Sequence, residues 1–574
     1  MISSSSRLLY ALLLAVASSS NAFVHPHSKA MPSISNPKKI NTSIETTTRL
    51  EAALLPSVVT NLSPPLRNTI VLSTAASAVA VSIYKKHKKK GLPDSNFSEP
   101  LPEGSLGCPI LGNIEFYTKQ GSSETGPGDF FRRQAAKAKN GNIFRYMAFG
   151  KPIVMLSGMK NVKLAFNQEF KKIRTTTLMT RLTNLFGGES MLFVNEADRH
   201  QYMRRLVGQS MTPDKINSAI PALVASASEQ LNQLSLEEPV TMENVLTNFT
   251  LDVAWRQILG LDLKDDEINE FNQAVDDWIG GIVDLRTLLM PSVKHTRAGR
   301  GNAYLVSKIE RKMDQLERDG PDDSTMSAMY FARDEEDPSK RLSRDDVISN
   351  ALLLILAGSE TAASTLTVSA LALGLHKDVL QKLKDEQLAM IAKHGTEEMT
   401  RDMIEKDCPY LDAVVKETMR IKPLGTTGAM RVAEETMVVD GAQIPKGNGV
   451  VFNIYLTHEG DPVVKEEGNA HMDIVKGFKP ERWLDDKTKP TEYMPFGYGP
   501  RFCLGYNLAM AEMKVFLALL ARRVDFNLVN MTKDNVTWKK ASIIPQPADG
   551  TVVKLISLEA TNTPKSVDVD LSPV

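Results

Sequence analysis

Cys503 stands in the run Phe496-Gly497-Tyr498-Gly499-Pro500-Arg501-Phe502-Cys503-Leu504-Gly505. Glycines at 497, 499 and 505 let a backbone turn tightly and approach a planar group where a Cβ would collide. Arg501, two residues before the sulfur, is placed to neutralise a carboxylate on the rim of such a group. Thiolate rather than thiol binds metal, so the loop must also aim backbone N–H groups at the sulfur and hold its pKa down. Phe496, Gly499, Arg501, Cys503 and Gly505 are therefore parts of a loop that offers one thiolate to a flat iron macrocycle, a ligand that favours O–O cleavage. The other reading of a lone cysteine is a small buried hydrophobe. Zinc is excluded by pattern, because Cys108 and Cys408 are isolated and no Cys-x-x-Cys or His-x-x-x-His pair accompanies them. Three cysteines in 574 residues exclude a disulfide framework as well.

Two further clusters lie upstream. Ala357-Gly358-Ser359-Glu360-Thr361 falls inside an apolar stretch from about Arg344 to Leu375. Ser343 followed by Asp346 reads as a capping box, and Val347 to Leu356 is too apolar all round for a surface helix, so this helix should cross the core. Within it a glycine costs about 1 kcal/mol relative to alanine, and a buried carboxylate costs far more. Gly358 and Glu360 thus mark a place where the helix serves more than packing. A kink and a Thr361 back-bond to its own helix are the structural alternatives. Glu417-Thr418-Met419-Arg420 sets a carboxylate and a guanidinium on one helical face, which alone is a common surface pair.

In this order, the three motifs resemble the cytochrome P450 family, and the resemblance covers roughly residues 100 to 560. It implies a mainly α fold with a small β-rich portion and a haem b whose iron takes Cys503 as axial ligand. It also implies that the core helix loosens at Gly358 and that Glu360 and Thr361 relay protons for O2 activation. Arg482, in Phe478-Lys479-Pro480-Glu481-Arg482-Trp483, is implied to join Glu417 and Arg420 in a charged cluster that fastens the haem-side core. His200 and Arg204 occupy a position where many members carry W-x-x-x-R, and with Arg431 they are implied propionate partners. Histidine in place of tryptophan removes the indole contact but can still donate. For Arg204 and Arg431 the alternative is an ordinary surface charge.

Helical periodicity dominates from about Asp129 to Met419, with strand-like stretches at Pro152 to Leu156 and Met437 to Val439 and a turn-and-strand unit at Gly441 to Gly447. A hydrophobic share of 42% suffices for a large core, and equal numbers of acids and bases argue against a nucleic-acid binder. The 25 methionines suit an adaptable apolar pocket or simple core filling.

The first hundred residues read as an address. Residues 1–22 carry Arg7, an apolar run and a small-residue exit, as a signal peptide does. Residues 23–66 are transit-like, and signal plus transit joined at Ala22-Phe23 resembles the two-part plastid presequence of diatoms and related algae; entry into the endoplasmic reticulum is the alternative. Residues 67–90 read as a membrane anchor with the basic stop-transfer block Lys85 to Lys90, and 91–109 as a proline-rich connector. The catalytic domain then spans 110–560, followed by a polar, frayed tail over 561–574.

Gly104 to Gly112, Asp129 to Phe131 and Asn142 to Phe144 resemble the branch of the family that oxidises isoprenoids, including retinoids and sterols. Its substrate pocket would use the loop Arg174 to Phe193, Leu353, Leu354, Ala357, Leu424 to Ala429 and Ile543 to Gln546, apolar with scattered hydroxyls. Arg181 and the threonines at 175, 176 and 177 would hold a substrate carboxylate or serve as plain loop residues. The resemblance implies O2, a hydrophobic substrate and a redox partner, either an NADPH-dependent flavoprotein reductase or ferredoxin. The presequence narrows the substrate to a prenyl chain such as that of an N-geranylated amino acid in kainoid synthesis, alongside carotenoids and sterols. A haem-thiolate isomerase or dehydratase and a non-catalytic haem sensor stand as readings of other classes; neither needs the Glu360–Thr361 pair.

Overall fold

The computed structural model describes residues 92–558 except 108–111, 114–128, 149, 177–184, 186–188, 283–286, 288–291, 425–429 and 540–543. The signal, transit, anchor and tail segments, Cys108, Thr177, Arg181, Ile543 and most of the Leu424 to Ala429 loop thus lie outside the described residues.

The fold is mainly helical. Its α-helices are α1 (Asp129–Lys137), α2 (Met159–Phe166), α3 (Ala197–Gly208), α4 (Pro213–Asn232), α5 (Met242–Asp252), α6 (Asp265–Ile282) and α7 (Arg297–Asp319). They continue with α8 (Thr325–Phe331), α9 (Arg344–Leu375), α10 (Lys377–His394), α11 (Arg401–Lys406), α12 (Pro409–Ile421), α13 (Ile454–Glu459) and α14 (Tyr506–Arg523). The strands are β1 (Ile143–Ala148), β2 (Lys151–Leu156), β3 (Ile173–Thr175), β4 (Val240–Thr241), β5 (Arg431–Ala433), β6 (Met437–Val439), β7 (Ala442–Ile444), β8 (Gly449–Phe452), β9 (Val524–Leu528) and β10 (Val552–Leu558).

Five strands form a mixed sheet in the order β1-β2-β8-β5-β3, three form β4-β10-β9, and β6 and β7 form a separate hairpin. The hairpin turns at Asp440 and Gly441, both at positive φ, the geometry that a two-residue type I′ turn requires. The proline-rich segment 92–107 is no free connector. Gln443 N–H bonds to Pro100 O at 2.9 Å and Arg145 N–H to Glu103 O at 2.8 Å, which lays it along β7 and β1.

α9 is the axis of the helical part. Ser343 and Asp346 cap it reciprocally, Asp346 N–H to Ser343 Oγ at 3.1 Å and Ser343 N–H to Asp346 Oδ2 at 3.0 Å, which satisfies two otherwise orphaned donors. Its apolar residues enter one core with Leu246 and Phe249 of α5, Val414 and Met419 of α12, and Val515 and Phe516 of α14. Among the described residues α9 alone is long and apolar enough to cross a membrane, but it lies mostly buried within the protein.

α5 runs on into a π-helical turn at Val253–Ile258, where Leu259 N–H reaches back five residues to Ala254 O at 3.0 Å. Such turns shift the residues after them around the helix axis. Ile258 is thereby brought to Gly358, where an added Cβ would stand 3.3 Å from Ile258 Cδ1. Gly358 therefore makes room for a neighbouring helix. The expected loosening at this glycine is not present: α9 is unbroken, and the Thr361 hydroxyl donates to Ala357 O at 2.6 Å, within the helix's own ladder.

Candidate functional site

The Cys503 loop is a compact set of turns. Cys503 N–H donates to Phe496 O and Phe502 N–H to Gly499 O, each at 3.0 Å, and Gly499–Arg501 form one 3-10 turn. Gly499 sits at φ +68, and an added Cβ would stand 3.3 Å from Phe166 Cβ and 3.4 Å from its ring, so this position needs glycine. Gly505 has a φ of −79 that suits any residue, so the backbone itself does not demand glycine, and no atom of the chain lies within 4 Å of where a Cβ would stand. Its role is to start α14 and to point its N–H at the Cys503 sulfur. Burial pushes the Cys503 thiol up, and the Gly505 N–H and the Arg204 guanidinium oppose that. A metal cation would reverse the balance outright.

Arg501 is almost fully committed. Its Nε pairs with Glu169 Oε1 at 2.5 Å, Nη1 donates to Met191 O and Leu192 O, and Nη2 donates to Val194 O at 2.7 Å. Arg431 approaches the other oxygen of the same carboxylate, Nε to Oε2 at 3.2 Å, and stands over the rings of Phe166 and Phe452. Both arginines are buried rather than surface charges, and both face Glu169, which sequence reasoning missed. Next to Glu169, Phe170 adopts φ +64, lies under the Arg501 guanidinium and packs at a tilt against the His200 ring. In the sequence Glu169 stands beside Lys171 and Lys172 and carries no motif that would single it out.

Arg204 behaves differently. It is half-buried, interacts with Cys503 through charge, and has no carboxylate partner among the described residues. His200, one helical turn earlier on α3, is buried, and burial together with Arg501 and Arg204 holds its pKa down to about 4. At neutral pH it is an uncharged imidazole with an N–H to give.

The second cluster forms at Glu417. Arg420 binds it through two parallel contacts, Nε to Oε2 and Nη2 to Oε1, both 2.9 Å, and Arg482 Nε reaches Oε1 at 2.9 Å. Trp483 Nε1–H at 3.0 Å and Lys479 N–H at 3.1 Å complete the carboxylate's shell. Burial raises the Glu417 pKa, but Arg420 and Arg482 overcome it and hold the carboxyl below its usual range. Arg482 Nη1 also pairs with Glu467 at 2.6 Å, a partner the sequence did not single out.

On α9, residues 351–355 and 362–373 are buried, whereas Ala357 between them is exposed and Gly358, Glu360 and Thr361 are half-buried. Leu353 and Leu354, expected to line a pocket, are buried, Leu354 within the main core, so the open face starts at Ala357. Burial, Glu243 and Asp276 raise the Glu360 pKa while Lys539 lowers it. Arg174 pairs with Glu434 at 2.8 Å, and the Thr175 hydroxyl donates to Glu169, so neither offers a free group to a substrate carboxylate. No cluster of three or more His, Cys, Asp or Glu suited to a metal ion occurs among the described residues.

A free thiol with an N–H aimed at it, a guanidinium without a carboxylate partner beside it, and a core helix opened by small residues over one and a half turns fit a haem held by Cys503. These features define a haem-thiolate enzyme. The cytochrome P450 family model matches residues 102–552, and the chain belongs to that family, whose members are monooxygenases with cysteine-ligated haem. The chain is 27% identical over 479 residues to cytochrome P450 26B1 of Xenopus tropicalis, covering 81% of this chain and 89% of that protein. It is 27% identical over 470 residues to putative cytochrome P450 120 of Synechocystis, covering 80% and 98%. The solved structure of retinoic acid bound cyanobacterial CYP120A1 superposes with a TM-score of 0.68 at 26% identity, over 80% of this chain and all of that one.

Proposed function

We propose that this chain hydroxylates a hydrophobic isoprenoid-type substrate, with successive rounds on one methyl carrying it towards a carboxylate. The observation that carries this reading is the likeness, over the whole length of the other chain, to a structure with retinoic acid bound. Bound haem supplies O2 activation and C–H oxidation when a redox partner delivers two electrons. Cys503 would hold the iron through its thiolate, with the Gly505 N–H steadying the charge on sulfur. Arg204 and His200 would hold the anionic edge of the group, one as a cation and one as a neutral donor. Glu360, with its pKa raised by burial and two acids, keeps a proton to give closer to neutral pH. Thr361 shifts its hydroxyl from Ala357 O to pass that proton on.

The narrower reading is a prenyl chain of a secondary metabolite, such as an N-geranylated amino acid of kainoid synthesis, with carotenoids and sterols as alternatives. Its support is the diatom-like presequence. The apolar run from Thr69 to Tyr84 ahead of Lys85 to Lys90 supports a membrane anchor in the plastid or the endoplasmic reticulum, where ferredoxin or a flavoprotein reductase would be the respective donor.

The test is the spectrum of the reduced, carbon-monoxide-bound protein, followed by titration with retinoids, geranylated amino acids, carotenoids and sterols. A Soret band far to the red of histidine-ligated haem, lost in Cys503→His, together with a spin shift for one class, supports the reading. A histidine-like band would sink it.

A further inference from the structure

Three charged groups among the described residues bear on the Glu360 carboxyl electrostatically, each from a different element: Glu243 at the start of α5, Asp276 on α6, and Lys539 in the loop before β10. Asp276 is well exposed and already paired with Arg297 at 2.5 Å, so solvent and its partner screen it. The other two belong together. Lys539 Nζ grips both carboxylate oxygens of Glu243, at 2.5 and 2.7 Å, with about a third of the lysine and a fifth of the glutamate side chain exposed.

The fold builds this pair into the wall of α9. β4 pairs with β10, Thr241 opposite Val552, which sets Glu243 beside the turn leading into β10; Glu243 N–H bonds to Gly550 O at 3.0 Å. Gly550 leaves the space that the glutamate occupies, since a Cβ there would stand 2.5 Å from Glu243 Oε2. Across the same loop Lys539 N–H bonds to Gln546 O at 2.8 Å. The Gln546 side chain donates to Ser364 Oγ at 3.3 Å, and Ser364 lies one helical turn beyond Glu360 on α9. A part-buried ion pair is thus tied through Gln546 to the buried side of the helix that carries Glu360.

We propose that the Glu243–Lys539 pair is a positioning device that governs proton supply to Glu360, with Lys539 easing release of the proton and Glu243 favouring its recapture from water at the rim. The inference rests on Glu360 acting as proton donor. In each turnover Glu360 would give up one proton and regain one from solvent, so its own state is unchanged. Opposite charges acting on one carboxyl from a single pair have a signature that a merely structural pair lacks.

The test is an infrared titration of the Glu360 carboxyl band in the full-length haem-loaded protein, the band being assigned by its loss in Glu360→Gln. Lys539→Met should move the midpoint up and Glu243→Gln should move it down, each on the order of one pH unit, and Lys539→Arg should restore it. In turnover, Lys539→Met should release more peroxide per electron with KM unchanged, and its substrate spin shift reports whether the site is still assembled. Midpoints that stay put, or move in the same direction in both variants, overturn the proposal; Lys539→Gln replaces Lys539→Met, with the same upward shift expected, if the methionine variant does not fold. If Glu360→Gln itself leaves coupling intact, the donor role of Glu360 fails instead, and the two failures are thereby told apart.

Discussion

Two buried glutamates in this chain are each gripped by two arginines, yet the two clusters do opposite things. Around Glu417 the charges close on themselves: Glu417 and Glu467 stand against Arg420 and Arg482, and a tryptophan and a backbone N–H complete the hydrogen bonds. Around Glu169 one carboxylate faces Arg431 and Arg501, with Arg204 close by and His200 neutral. In the first each charge is paired within the protein, Lys479 Nζ also holding Glu467 at 2.9 Å, and the cluster binds three stretches of chain, on α12, at Glu467 and at Arg482. The second carries an excess of positive charge beside the thiol and so favours an anion there. Similar ingredients give a fastener in one place and a receptor in the other because of what else is paired nearby.

The contrast is tested most strongly at Glu417. Glu417→Gln leaves the buried Arg420 guanidinium without a countercharge, while Arg482 keeps Glu467, and should cost about 3–5 kcal/mol, read as a fall in the urea midpoint, with little recovery on adding haem. Glu169→Gln should be destabilised by less once haem is titrated in, because the anionic edge of the group takes the place of the lost carboxylate. Equal haem rescue of both variants would erase the distinction.

A smaller effect comes from acid. His458, His471 and His200 are each held down to about 4, in every case chiefly by burial, against an ordinary value of about 6.5. Folding therefore favours the neutral imidazoles. Their contribution to stability should be intact above pH ~6.5 and lost progressively as pH falls towards 4, checked by denaturation midpoints across that range. His458 Nδ1–H donates to Arg420 O and its Nε2 accepts from Met494 N–H, and His471 contacts Arg420, so the Glu417 cluster should loosen in step. The smallest effect on stability is expected from Thr361→Ala, within about 0.5 kcal/mol, since that hydroxyl bonds only to its own helix. The same variant should nevertheless divert electrons to peroxide, and unchanged coupling would argue against a relay through Thr361.

The sequence alone determined the single thiolate at Cys503, the capped core helix with its small and acidic residues, and the Glu417–Arg420 pair. These depend on local spacing, and three or four residues on a helix fix which side chains share a face. It could not reveal Glu169, Glu467, Glu243 or Lys539 as partners, because none shares a helical turn with the group it pairs with: Glu467 lies 15 residues from Arg482 and the others lie hundreds of residues away, so each reads locally as solvated charge. Gly358 shows the limit most plainly. Composition marks it as a weak point in a helix, and only the π turn at Ile258 shows that it is a point of contact. Which charges are spent and which remain to bind is decided by long-range packing, since a buried ion's behaviour is set by the groups that folding places against it.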